Sequence, residues 1–381
     1  MSIPELSAPQ LLAAFEASPD ANAPQVLDVR APERAALGHI EAPRYVNVPG
    51  SRVLPLADAA VLGLDRNRPV VVVCDRGMSS RPVAQHLLRQ GFDARSLTGG
   101  MLGWMHATVR RVVPGLTGLD RLVQIDRVGK GALGYYAERG GEALVVDPAR
   151  DPAPYDALLA ESGARLVAVV DTHCHADYLS GGPALAAAHD ASYFLHPADA
   201  VDPYEGRAAR IACTPLRDGA EVAVGDARFV VEHLPGHTEG SIALRLGDEL
   251  AFTGDFLFVE SVGRPDLAGR TEAWTALLWQ SLEQARGRWS PGMRIFPAHY
   301  GSESERQPTR VVEARFGDLA ARNLPFSIGD AAAFAAWIRA RAGDFPADYR
   351  TIKRANLGLV DLPPGLADEL EAGKNQCALS S

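Results

Sequence analysis

His173-Cys174-His175-Ala176-Asp177-Tyr178 follows the apolar run Leu166 to Val170 and the polar pair Asp171-Thr172, and its reading decides the fold of the larger part of the chain. In an extended segment residues i, i+2 and i+4 face one way, so both imidazoles and the carboxylate are expected to converge while Cys174 points elsewhere. Downstream stand Pro235-Gly236-His237-Thr238, Thr253-Gly254-Asp255 and Pro297-Ala298-His299, each at a strand end or a Gly/Pro turn. Four ligand-type clusters at strand ends of one domain predict a metal site, and neutral imidazoles with carboxylates suit zinc or iron. His86, His106, His189, His196 and His233 stand alone and read as ordinary surface or core residues.

Around these clusters the pattern is mixed α/β. Gly134 to Tyr136 and Ala143 to Val146 read as paired strands about the turn Arg139-Gly140-Gly141. Further strands fit Phe229 to Val231, Ile242 to Leu246 and Leu250 to Thr253, and Trp274, Leu277, Leu278 and Leu282 mark an amphipathic helix. The N-terminal part differs. Ser7 and Gln10 form a capping box ahead of Leu11, Leu12 and Phe15. Val26 to Val29 and Val70 to Val73 are β-branched runs of the kind buried in a parallel sheet. Val83, Leu87 and Leu88 give a helix closed by Gly91. This alternation predicts a small α/β parallel-sheet domain over residues 1–110, a linker at 111–120 around Pro114, Gly115 and Gly118, and a second domain over 121–381.

The 381 residues carry 38 Lys and Arg against 47 Asp and Glu, a net charge of −9. Nucleic acid and anionic membranes are bound through basic patches, so neither is expected as a partner. No apolar run approaches the roughly 20 residues of a membrane span. The opening Met1 to Gln10 lacks the basic-then-apolar pattern of a leader, and the expectation is a cytoplasmic protein. Four scattered cysteines suggest free thiols; Cys174, Cys213 and Cys377 read as structural.

Cys74 is different. It ends the run Val70 to Val73 and opens the loop Asp75-Arg76-Gly77-Met78-Ser79-Ser80-Arg81 ahead of a helix. Such a loop aims backbone N–H groups at its centre and favours an anion or a thiolate there. Arg76 and Arg81 would add positive charge and contact substrate, while Asp75 opposes them. Leu27-Asp28-Val29-Arg30, Glu33, Gly38-His39-Ile40, Val48-Pro49, Cys74 with Gly77 and Ser80, Gly99-Gly100 and Trp104 together resemble the rhodanese (sulfurtransferase) domain. The resemblance implies that Cys74 accepts a sulfane sulfur as a persulfide and passes it on, with thiosulfate, sulfite and a thiol as small-molecule partners. Many relatives have Arg where Ser79 stands, which leaves the sulfur donor open.

The histidine clusters resemble the metallo-β-lactamase fold, an αβ/βα sandwich, over about residues 121 to 310. Its dinuclear hydrolases read His-x-His-x-Asp-His, whereas here the last position is Tyr178. A phenol is a poor substitute for a neutral imidazole. The resemblance then implies the single-metal persulfide dioxygenases of this fold: one Fe(II) per chain on His173, His237 and Asp255, with His175, Asp177, Tyr178 and His299 around the ligands. Such enzymes oxidise a low-molecular-weight persulfide such as glutathione persulfide with O₂ to sulfite and thiol, in hydrogen sulfide detoxification, and are often homodimers. Arg264, in Gly263-Arg264-Pro265-Asp266, either meets the anionic substrate or pairs with Asp266. The tail Asn356-Leu357-Gly358 and Asn375-Gln376-Cys377-Ala378 also looks like the end of such proteins. The alternative is a zinc thioester hydrolase resembling glyoxalase II, with an accessory rhodanese module.

Overall fold

The computed structural model describes residues 3–18, 23–343, 347–371 and 373–379. The chain divides into two compact units, one of Met1–Val109, Arg127–Lys130 and Ala372–Lys374, the other of Arg110–Asp126, Gly131–Glu371 and Asn375–Ser381.

In the first unit five parallel strands lie in the order Glu5–Leu6, Ala94–Leu97, Val70–Val73, Gln25–Asp28, Tyr45–Asn47. Val70–Val73 is central and buried at every residue, which is why it reads as an unbroken apolar run. Its side chains alternate between two cores: Val70 and Val72 pack with Leu27, Val83 and Leu87, and Val71 and Val73 with Leu11, Val26 and Trp104. The Ser7–Gln10 capping box starts the helix Ala8–Ala17, and Gly91, at φ +82°, follows the helix Ser80–Arg89.

Two sheets make the second unit. The seven-stranded sheet runs Thr214–Pro215, Ser192–Leu195, Arg165–Val170, Glu142–Val146, Ala132–Arg139, Arg121–Arg127, Val109–Val112. The six-stranded sheet runs Glu221–Val224, Ala227–His233, Ile242–Leu246, Leu250–Gly254, Arg294–Pro297, Ala314–Arg315. Leu133, Tyr135 and Val146 of one share a core with Phe229, Leu244 and Phe252 of the other, which makes the α/β sandwich. The helices Ala153–Ser162 and Gly182–Ala188 cover a separate core with Tyr136, Val145 and Val169, whose side chains leave the opposite face of the seven-stranded sheet. Arg111 and Val112, read from sequence as the start of a linker, lie in the edge strand Val109–Val112. Farther along the same stretch, the backbone N–H groups of Thr117 and Gly118 donate to Glu249 at 2.5 and 2.8 Å. Among the described residues no helix is long and apolar enough to cross a membrane.

Candidate metal centre and thiol loop

Strand ends deliver the ligand-type residues of the second unit. His173 lies just beyond Arg165–Val170, His237 beyond Ala227–His233, Asp255 directly after Leu250–Gly254, and His299 just beyond Arg294–Pro297. All four are fully or almost fully buried. Gly254, at φ +52°, lets two of these strand ends touch: a Cβ there would stand 2.3 Å from Thr172 Oγ1, beside His173.

Hydrogen bonds fix the state of each imidazole. Thr172 Oγ1 donates its one proton to Asp147, at 2.9 Å from Oδ2, so His173 Nδ1–H donates to Thr172 at 3.1 Å. His237 Nδ1–H donates to the Arg264 carbonyl at 3.0 Å. Both rings therefore turn an Nε2 lone pair the other way, the second-shell arrangement found behind metal-bound histidines. Burial, reinforced at His173 by the neighbouring histidines, holds His173 well below the usual imidazole range; burial brings His237 down to about 4. Asp255 Oδ2 lies 3.6 Å from His173 Nε2 and 3.4 Å from His237 Nε2. Among the described residues none of these three buried atoms has a hydrogen-bond partner. An ion with ligand bonds of about 2.1 Å spans atoms spaced about 3.0–3.4 Å apart, so the set fits a metal on two imidazoles and one carboxylate.

His299 is arranged otherwise. Its Nδ1 lies 2.7 Å from Asp255 Oδ1 and its Nε2 3.1 Å from Asp177 Oδ2. Two carboxylates facing two ring nitrogens hold both protons in place; burial opposes the charge, but the two aspartates raise the ring to about 10. Each ring nitrogen of His299 is thus engaged by a carboxylate.

The segment His173 to Asp177 bends instead of staying extended and distributes its side chains over adjoining groups, with the His173 and His175 ring centroids 4.2 Å apart. His173 joins His237 and Asp255; Asp177 joins His299 and Cys377; His175 joins Asp147 and Asp171. Tyr178 stacks on His175, with ring centroids 4.3 Å apart, and its hydroxyl lies 3.0 Å from His175 Nε2. Burial pushes the phenol well above its usual range, so it stays protonated. Arg264, the candidate substrate contact, is instead committed to Asp266 at 2.6 and 2.7 Å and to the Gly343 carbonyl at 2.9 Å. Cys377 is buried beside Asp177 and His299, with its carbonyl accepting from Arg264 N–H at 2.9 Å.

Three further residues position the site without having been singled out for it. Asp147, at φ +49°, anchors Thr172 and lies 3.2 Å from His175 Nε2. Asp199 binds Cys174 N–H at 2.7 Å and Thr238 Oγ1 at 2.8 Å, tying the His173 loop to the His237 loop. Asn356 donates to the carbonyls of His175 and Tyr178, both at 2.9 Å. An aspartate in a loop is too common to mark the first two roles in one sequence, and Asn356, at the end of the helix Asp348–Asn356, carries no local sign of its contacts to His175 and Tyr178. Gly263 matters for closeness: a Cβ there would stand 1.9 Å from the Asp255 carbonyl and 3.0 Å from His237 Cβ. Gly263→Ala is expected to part these two residues and weaken metal binding at least about tenfold, read by competition with a chelator; unchanged affinity would contradict the positioning role.

In the first unit, Cys74 Sγ lies 3.1 Å from Gly77 N–H and 3.2 Å from Ser80 Oγ. Burial opposes a thiolate, but the Ser79 and Ser80 hydroxyls and backbone N–H groups outweigh it and bring the thiol below its usual range. The loop is built on Gly100, at φ +60°, whose Cβ would meet the Cys74 carbonyl at 2.3 Å. Arg76 is exposed, and Arg81 pairs at the surface with Glu5 at 3.1 Å. Asp28 and Arg30 pair at 2.6 Å behind the sheet end.

The metallo-beta-lactamase superfamily model matches residues 130–305 and the rhodanese-like domain model residues 10–107. The chain is 31% identical over 160 residues to the persulfide dioxygenase ETHE1 of Homo sapiens, covering 42% of this chain and 59% of that protein, less than two thirds of its length. It is 32% identical over 246 residues to a hydroxyacylglutathione hydrolase of Anaeromyxobacter dehalogenans, covering 64% of this chain and 80% of that one. A metallo-beta-lactamase from Staphylococcus aureus superposes with a TM-score of 0.57 at 25% identity, over 64% of this chain and 73% of that one. ETHE1 from Myxococcus xanthus superposes with a TM-score of 0.51 at 24% identity, over 62% and 95%, and shows the fold alone.

Proposed function

Because the chain belongs to the metallo-beta-lactamase superfamily and carries a rhodanese-like domain ahead of that fold, we propose that it is a single-iron persulfide dioxygenase joined to a sulfurtransferase. The observation that carries this reading is the contrast between two neighbouring groups. Among the described residues His173, His237 and Asp255 offer three converging buried atoms without hydrogen-bond partners, while His299 spends both nitrogens on carboxylates. One ion is thereby favoured over two, and Tyr178 adds no nitrogen donor.

Fe(II) on two imidazoles and one carboxylate supplies open positions for O₂ and for a substrate sulfur. The reaction balances as persulfide, O₂ and water giving thiol, sulfite and two protons. This chain's residues fix the orientation such an ion would need: Thr172 and the Arg264 carbonyl hold the His173 and His237 tautomers, and His299 holds Asp255 Oδ1, which would leave Oδ2 for the ion. In the rhodanese-like domain the Cys74 thiolate would attack thiosulfate, forming a cysteine persulfide and releasing sulfite, with exposed Arg76 beside the loop to meet the anion. Persulfide made by one domain and consumed by the other would gain from a raised local concentration.

A second reading has its own support, the 80% of a hydroxyacylglutathione hydrolase that the chain covers: a zinc thioester hydrolase. Oxygen uptake tests the choice. Anaerobically iron-loaded protein given glutathione persulfide is expected to consume one O₂ per sulfite formed and to carry about one iron per chain. No uptake, two zinc ions per chain and rapid thioester cleavage would reverse the assignment.

A further inference from the structure

Two buried hydroxyls stand in line behind Cys74. Ser80 Oγ, in the first turn of Ser80–Arg89, lies 3.2 Å from Cys74 Sγ and 2.8 Å from Ser96 Oγ on the strand Ala94–Leu97. Both serines are at most 1% exposed. Each hydroxyl has one proton to donate, and among the described residues Ser96 Oγ has Ser80 Oγ as its one hydrogen-bond partner. The row is satisfied end to end in one sense: Ser96 donates to Ser80, and Ser80 donates to sulfur. A protonated sulfur that donates into the row turns it round and leaves the Ser96 proton buried without an acceptor, an unfavourable unmade bond; one that does not donate into it leaves the S–H out of the row. An anionic sulfur does neither, and it makes the Ser80 bond charge-assisted.

We propose that Ser96 is a positioning residue for Cys74: it holds the Ser80 proton on the sulfur and thereby favours the thiolate. The inference rests on reading Cys74 as the sulfur-accepting thiol, and nothing in that reading singled out Ser96. The charged groups around the loop are poorly placed to do the same work. Asp75 pairs with Arg34 at 3.3 Å and Arg81 with Glu5 at 3.1 Å, each pair more than a third exposed and screened by solvent. Arg76 is exposed, and Asp28 on the neighbouring strand is taken by Arg30. The Ser79 hydroxyl and the backbone N–H groups of the loop, Gly77 N–H at 3.1 Å among them, also face the sulfur, and behind it pack the apolar Leu27, Val29, Val53 and Val83.

The test is the pH profile of iodoacetamide alkylation at Cys74 in the full chain, followed on its own peptide, beside thiosulfate-dependent sulfur transfer. Ser96→Ala is expected to move the midpoint up by about 0.5–1 pH unit, so that the thiolate fraction below the midpoint falls about 3–10-fold, and Ser96→Thr to restore it. In a Ser80→Ala background Ser96→Ala should add no further shift, since the row is already cut. An unchanged midpoint, or the same shift in both backgrounds, overturns the proposal. If Ser96→Ala lowers the melting temperature sharply, Ser96→Cys, with a weaker donor of similar size, is held to the same outcomes. The expected shifts in the variants, beside a wild-type protein that transfers no sulfur, would overturn the reading of Cys74 and leave the hydroxyl row standing; wild-type transfer with an unmoved Ser96→Ala profile would do the reverse.

Discussion

Asp255→Ala protein is expected to hold less than about a tenth of the wild-type metal after loading and dialysis, and to take up no oxygen when a persulfide is added. The reason lies in what the carboxylate does on both of its sides. Oδ2 is the third corner of a triangle whose other corners are the His173 and His237 nitrogens. It is also the anionic corner, and two neutral imidazoles alone hold a divalent ion weakly. On the other side Oδ1 accepts from His299 at 2.7 Å, so its removal leaves a buried imidazolium with Asp177 as its remaining carboxylate. Loss of one partner from a buried pair is destabilising by about 3–5 kcal/mol, and a fall in melting temperature is therefore expected as well. Asp255→Asn separates the two effects, because an amide oxygen keeps an acceptor for His299 while the charge at the ion is gone. Its metal content should fall as far as that of the alanine variant, with a smaller fall in melting temperature. Full iron occupancy in both variants, measured by elemental analysis, would remove Asp255 from the ligand set and the single-iron reading with it.

How much of this centre was legible follows from what kind of signal each residue leaves. The strands Val70–Val73 and Ile242–Leu246 appear in the structure with the bounds their apolar runs suggested, because burial on a sheet writes itself into consecutive residues. His173, His237, Asp255 and His299 stood out because ligand-type residues at several strand ends are improbable together. The partition among them was not legible. Whether His173, His175 and Asp177 face one cavity depends on the backbone after Val170, and a bend there sends them to three different groups. Asp147 and Asp199 act through hydrogen bonds to loops 25 or more residues away along the chain, a relation with no local pattern. Arg264 had two readings, and the structure shows the pair with Asp266 made at both carboxylate oxygens. Cys377 read as structural because Arg264 and His299 meet it from distant parts of the sequence.

Cys74→Ser should abolish thiosulfate-dependent sulfur transfer, a fall of at least about a thousandfold, while oxygen uptake with preformed persulfide stays at the wild-type level. The substitution is close to isosteric, and a serine hydroxyl can keep the contacts that Cys74 makes to Gly77 N–H and Ser80 Oγ, at 3.1 and 3.2 Å, so the loop is expected to keep its shape and the melting temperature to hold. What is lost is chemical. The hydrogen bonds that bring the thiol below its usual range act on a group already close to ionising, whereas an alcohol with a far higher pKa stays neutral under the same donors. An alkoxide is also unable to form the sulfur–sulfur bond that would carry the transferred atom. The residues read as metal ligands stand beyond the strand ends of two other sheets, which is why the oxidation should not follow the transfer down. Supplied with thiosulfate and glutathione in place of persulfide, the variant should take up no oxygen, because the step that makes the persulfide has been removed. Sulfur transfer at the wild-type rate in Cys74→Ser would show that another thiol carries it, and the half-buried Cys213 would be the next to replace.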